Sequence, residues 1–139
     1  LTDLVGQTDF NWLTAVNLSY LANSQSLIGD HYLSIGDLFQ AESYFLESLE
    51  ALKKSSAIID TDKTTKENLI KILGKIKQLY LSQNELGQSL SYHYAHSFAI
   101  NQMVKAYPDE ETYTAELAQS FIELGGLLHK LNEIKAGKF

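Results

Sequence analysis

An all-α fold is predicted for this chain of 139 residues by three observations. Apolar residues recur at helical spacing along its length, one proline and eight glycines are too few turn residues for an all-β design, and a motif returns every 48 residues. Helices are expected near 9–35, 37–59, 63–83, 86–107 and 110–131, with a sixth beginning at 133. The first runs up to Gly36, a residue suited to the left-handed conformation that ends a helix, and carries Trp12 where it would cover the open face of the first hairpin. The second has Leu38, Ala41, Phe45, Leu49 and Leu52 on one stripe. The third opens on Thr64-Thr65-Lys66-Glu67, which reads as a capping box, and continues through Leu69, Leu73, Ile76 and Tyr80. The fourth starts after Asn84-Glu85 and stops ahead of Pro108. The fifth starts on Asp109-Glu110-Glu111, acids suited to the positive end of a helix, and carries the stripe Leu117, Phe121, Leu124, Leu128, Leu131.

Composition bounds the function classes. Hydrophobic residues make up 45% and charged residues 20%, a globular balance. No run approaches the ~20 apolar residues that span a bilayer, and no signal-like start is present, so a cytoplasmic protein is expected. Cysteine is absent, which removes disulfides and thiol chemistry. The formal net charge is -6, and every basic residue is lysine; with no arginine to clamp phosphate, nucleic acid is excluded as a general partner. The chain is expected to form a single domain over 1–139 and to be a piece of a longer protein.

The repeat sets Ile28-Gly29-Asp30-His31-Tyr32 against Ile76-Lys77-Gln78-Leu79-Tyr80 and Leu124-Gly125-Gly126-Leu127-Leu128. Gly36, Asn84 and Asn132 then coincide, each followed by an acid and an aliphatic residue, so a helix–turn–helix corner is expected three times. Ala41 falls on Ser89, and Phe45 on His93. The units run over about 13–60, 61–108 and 109–139, the last truncated.

Each unit resembles a tetratricopeptide repeat, in which a Leu-Gly pair, an aromatic three residues later, and a small residue and an aromatic of the second helix recur. Ile28-Gly29, Tyr32, Ala41 and Phe45 match in the first unit, Ile76, Tyr80 and Ser89 in the second, and Leu124-Gly125 in the third, where Leu128 replaces the aromatic. The family tryptophan is missing, and the period of 48 exceeds the usual 34, similar to the long repeats of multidomain bacterial proteins. The resemblance implies a right-handed α-solenoid of about three antiparallel hairpins whose concave face is lined by the first helix of each unit. Matching positions put Asn23, Ser26, Asp30 and Leu33 there, then Lys71, Gln78 and Leu81, then Gln119, Ile122 and His129.

Candidate chemistry is sparse. His93 and His96 stand three apart on one helix, but two histidines make half a metal site and the repeat assigns both to packing slots. No serine sits in a nucleophile elbow, and Gly125-Gly126 lacks the following Lys-Ser or Lys-Thr of a phosphate loop. No enzyme activity, cofactor or metal is therefore expected. The expected role is a protein or peptide interaction scaffold with its ligand on the concave face. A structural spacer is the alternative, with self-association through the truncated last unit, and a peptide-sensing domain of a bacterial signalling or defence protein is a third reading.

Overall fold

A computed structural model describes residues 2–59 and 62–137, with side chains from Phe10 onward. Among these residues the protein is all-helical: α1 (Thr2–Ser34), α2 (Leu38–Ile58), α3 (Lys63–Ser82), α4 (Leu86–Ala106) and α5 (Glu111–Lys135). They form two compact units, residues 1–72 and 73–139, with α3 running through the division. The unit boundary expected at 60–61 lies outside the described residues.

The five helices follow from the sequence for identifiable reasons. α1 ends in a Schellman turn: Gly36 takes φ +81, its N–H donates to the Leu33 carbonyl (3.1 Å), and the Asp37 N–H donates to the Tyr32 carbonyl (2.9 Å). Asp37 then turns outward as the N-cap of α2, its carboxylate accepting from the Gln40 N–H at 3.1 Å. Forty-eight residues on, Asn84 (φ 58) repeats the turn, with the Asn84 N–H on the Leu81 carbonyl (3.0 Å) and the Glu85 N–H on the Tyr80 carbonyl (2.9 Å). Glu85 makes no side-chain cap bond, since its longer stem is poorly suited to that geometry. Pro108 lies in the turn between α4 and α5.

In the first unit, α2 lays Ala41, Phe45, Leu49 and Leu52 against α1, as the stripe predicts. Phe45 is fully buried because Gly29 yields the space: a Cβ on Gly29 would sit 2.5 Å from the ring. Ser48 and Ser55 donate across to the Ala22 and Ala15 carbonyls of α1 (2.7 and 2.8 Å), satisfying buried hydroxyls where Ala15 and Ala22 keep the helices close. Tyr32 and Tyr44 stack with centroids 5.6 Å apart near the corner.

The second unit repeats the device with other side chains. Tyr80 stacks on Tyr92 at 5.5 Å, the same pair displaced by 48, and Ser89 replaces Ala41 at the same full burial. Lys77 stands in the place of Gly29 and His93 in the place of Phe45. The smaller imidazole leaves room for a side chain at 77, whereas the Phe45 ring permits none at 29.

Four expectations need correction. Asn132 is not a corner: α5 continues to Lys135, and the left-handed residue is Gly137 (φ 73), which adopts that conformation without the Cβ penalty asparagine carries. No helix therefore starts at 133. The cap of α3 is Asp62 and not Thr64, its two oxygens accepting from the Thr64 N–H (3.1 Å) and the Thr65 hydroxyl (2.7 Å). Phe121 leaves the packed stripe of α5, being 54% exposed, because the buried register is Tyr113, Ser120, Leu124 and Leu127. Trp12 is 58% exposed, and nothing lies within 4 Å of where a Cβ on Gly125 would point.

Gly29→Ala is expected to destabilise the first unit by ~1–3 kcal/mol through the clash with Phe45, and Phe45→Leu in the same chain to recover part of that loss. Urea unfolding of the single and double variants measures the coupling; additive losses would remove the close approach as their cause.

Candidate functional site

The residues expected to meet a ligand divide between the units. On α1, Asn23, Ser26, Asp30 and Leu33 follow one another at spacings of three and four and so share one side of the helix. Asn23 and Leu33 are exposed, while Ser26 and Asp30 are half-buried. Lys71, in the N-terminal part of α3, is exposed. In the second unit Gln78 is exposed and Leu81 half-buried, and on α5 Gln119, Ile122 and His129 are exposed on one side. Gln119 donates to Glu123 at 3.4 Å, and His129 pairs with Glu133 at 2.9 Å. These are mixed polar and apolar surfaces of helices, with no convergent catalytic set.

The concentrated chemistry of the chain lies elsewhere, in the interior of the second unit. Lys77 of α3 is 3% exposed, and its ammonium donates to the Glu123 carboxylate of α5 (2.9 Å) and to Nδ1 of His96 of α4 (3.1 Å). One cation thus ties three helices. Because an ammonium can only donate, His96 Nδ1 must accept, so the neutral ring carries its proton on Nε2. That edge of the ring sits beside Gly74, where a Cβ would come within 3.4 Å of Nε2. Ser120 approaches Nδ1 at 3.4 Å and bonds in turn to Ser97, both serines being buried. His93, 1% exposed, has the other tautomer: a carbonyl only accepts, so Nδ1–H donates to the Ser89 carbonyl at 2.8 Å. The Ser89 hydroxyl donates to the Lys77 carbonyl at 2.9 Å.

The titration of the cluster follows from this geometry. Burial, and then the Lys77 charge, pushes His96 down to about 4 against the opposing pull of Glu123. Burial likewise lowers His93. The hydrogen bond from Lys77 holds Glu123 below the usual carboxylate value. At neutral pH the arrangement is Lys⁺ with Glu⁻ and two neutral imidazoles. A metal cation at His96 would have to displace an ammonium already seated on Nδ1, and among the described residues no three His, Asp or Glu side chains converge. Ser97 and Ser120, at 5% and 2% exposure, offer no approach to a substrate. The cluster links α3, α4 and α5 through Lys77, His96 and Glu123.

Sequence reasoning placed His93 and His96 in packing slots and noted that Lys77 stands where the repeat has glycine. It missed Glu123. The available signal was the lysine itself: a long cation in a core slot requires a carboxylate from a neighbouring helix.

No family model matches the chain, nor does any curated protein or solved structure. Among the described residues no helix is long and apolar enough to cross a membrane.

Acid lability of the second unit follows. A histidine whose folded pKa lies below its unfolded value costs stability as pH falls from 6.5 towards 4, since the unfolded chain takes the proton first. Glu123 adds a loss in the same direction below its ordinary pKa. After allowance for solvent screening, the His96 share is on the order of 1 kcal/mol, or a few degrees in Tm. His96→Gln, which keeps an acceptor for Lys77, is expected to flatten the Tm profile between pH 6.5 and 4.5 without abolishing the slope that His93 contributes. An unaltered profile would show that His96 does not titrate differently on unfolding.

Proposed function

We propose that this chain is a segment of a tetratricopeptide-like α-solenoid whose task is to bind a protein or peptide on the exposed sides of the first helices of its hairpins. The observation that carries the reading is the internal duplication: a left-handed corner at Gly36 and Asn84, and a tyrosine stack at Tyr32–Tyr44 and Tyr80–Tyr92, all displaced by 48 residues. Hairpins repeated at a fixed interval build extended surfaces rather than enclosed pockets, and such surfaces serve recognition. The exposed mixture of Asn23, Leu33, Gln78, Gln119 and Ile122 suits a segment with alternating polar and apolar contacts. The buried polar groups near them are consumed by helix packing, which favours binding over catalysis. A cytoplasmic setting agrees with the absence of cysteine. Exposed apolar side chains on the first hairpin favour a second reading, an assembly element, in which contacts between copies matter most.

The reading predicts that a partner recovered from lysate by the chain is lost when Asn23→Glu, Gln78→Glu and Ile122→Glu are introduced together, with helicity by circular dichroism unchanged. Mass spectrometry of the captured proteins decides. If the chain and its triple variant retain the same proteins, or if neither retains any, these helix sides are not the binding surface.

A further inference from the structure

Two adjacent glycines, Gly125 and Gly126, stand exposed inside α5. Gly29 is explained by the ring of Phe45 that it admits, and Gly36 and Gly137 by their positive φ. Gly125 and Gly126 have neither reason: a Cβ on either would meet nothing within 4 Å, and neither takes positive φ. What they bring to the helix is backbone freedom, and each lowers the helical population roughly fivefold relative to alanine. The helix is also held unequally on the two sides of this point. Before it, Tyr113, Ser120 and Leu124 are buried, and Glu123 accepts from Lys77 at 2.9 Å. After it, among the described residues only Leu127 is buried. Leu128, Leu131 and Glu133 are half-buried there, and Asn132, Ile134 and Lys135 are exposed. The ion pair of that stretch, His129 with Glu133 at 2.9 Å, is internal to it and ties it to no other helix.

We infer that α5 is a strap hinged at Gly125–Gly126: its end, residues 127–135, leaves the second unit as one body, with Leu127 as the latch, while residues 111–124 stay in place. Opening takes one buried leucine and two half-buried ones into water, together with the helical hydrogen bonds that span the glycines. Opening the rest of α5 would require three more buried side chains and the Lys77–Glu123 pair to come apart as well. The two parts of the helix therefore differ in stability, and the border between them falls where the backbone resists bending least. Once detached, the strap is far shorter than the ~12–15 residues at which an isolated helix becomes marginal in water, so it unwinds as it leaves. The open form bares the apolar surface under Leu127, Leu128 and Leu131, and closure covers it again. The hinge does not depend on the ligand-binding reading.

Native-state hydrogen exchange of the whole chain, followed amide by amide by NMR, tests the inference. The amides of residues 129–135 are expected to share one opening, with protection at least about tenfold below that of residues 117–124 and a step at the glycines. Gly125→Ala with Gly126→Ala, at exposed sites, is expected to slow exchange of 129–135 by about tenfold or more, because the open hinge then loses backbone freedom. Leu127→Ala is expected to speed the same amides by at least about tenfold and to leave 117–124 unchanged. Protection that falls gradually towards the end of α5 with no step is ordinary fraying and overturns the proposal. So does a double alanine variant whose exchange is unaltered, or a Leu127→Ala variant that loosens both parts of α5 alike. None of these variants touches Asn23, Gln78 or Ile122, so failure here and failure of ligand binding are separately visible.

Discussion

The reversal of the chain at Gly36 and again at Asn84 is the constraint on which each hairpin depends. A left-handed residue at those points lets its own N–H and the one after it close back onto carbonyls of the preceding turn, so the chain leaves the helix at a fixed angle. That angle brings α2 back along α1 and sets Tyr44 against Tyr32; the same departure sets Tyr92 against Tyr80. Everything buried deeper in a hairpin presupposes this corner, because a helix leaving at another angle would carry Phe45 away from Gly29. Asparagine performs the task at 84 because its short polar side chain tolerates positive φ, though less cheaply than glycine.

The two hairpins solve one packing problem in different chemical terms. In the first, bulk on α2 meets absence on α1, and the result is apolar and indifferent to charge. In the second, a smaller ring on α4 leaves room for a lysine on α3, and the lysine must then find anions and lone pairs within the protein. It finds Glu123 and His96, and in doing so draws α5 into the same network. Such an arrangement costs desolvation and returns specificity: an apolar pair tolerates a shifted register, whereas an ammonium with two named acceptors does not. Serine hydroxyls aimed at carbonyls in both units belong to the same logic, since they satisfy backbone oxygen where helices approach too closely for water.

Much of the architecture was legible in the residue pattern. The 3.6 period located five helices, and glycine or asparagine followed by an acid located two corners, because those features report local backbone preferences. The pattern misled where a local signal had no tertiary support. Asn132 matches the corner by alignment, yet Gly137 offers a cheaper left-handed residue five positions on and the helix runs to it. Thr64 opens a capping motif by type, but Asp62 lies two residues earlier and its carboxylate reaches both donors. Phe121 belongs to the apolar stripe by spacing, while the side of α5 that packs is chosen by Ser120, Leu124 and Leu127. The partnership of Lys77 with Glu123 joins residues 46 apart, and no periodicity encodes such a pairing.

Trp12 has a practical consequence. It is the chain's one tryptophan, it stands near the start of α1, and 58% of it faces solvent. Its emission is set by water whether or not either core is formed, so intrinsic fluorescence excited at the indole band is nearly blind to unfolding of this protein. The optical record of the fold resides in the tyrosines. Each corner holds a stacked pair in an asymmetric setting, Tyr32 with Tyr44 and Tyr80 with Tyr92, which gives each unit its own near-ultraviolet dichroic signal. Replacing one member of one pair by phenylalanine would separate the two signals, and the spectroscopist could then follow the two halves of the chain apart.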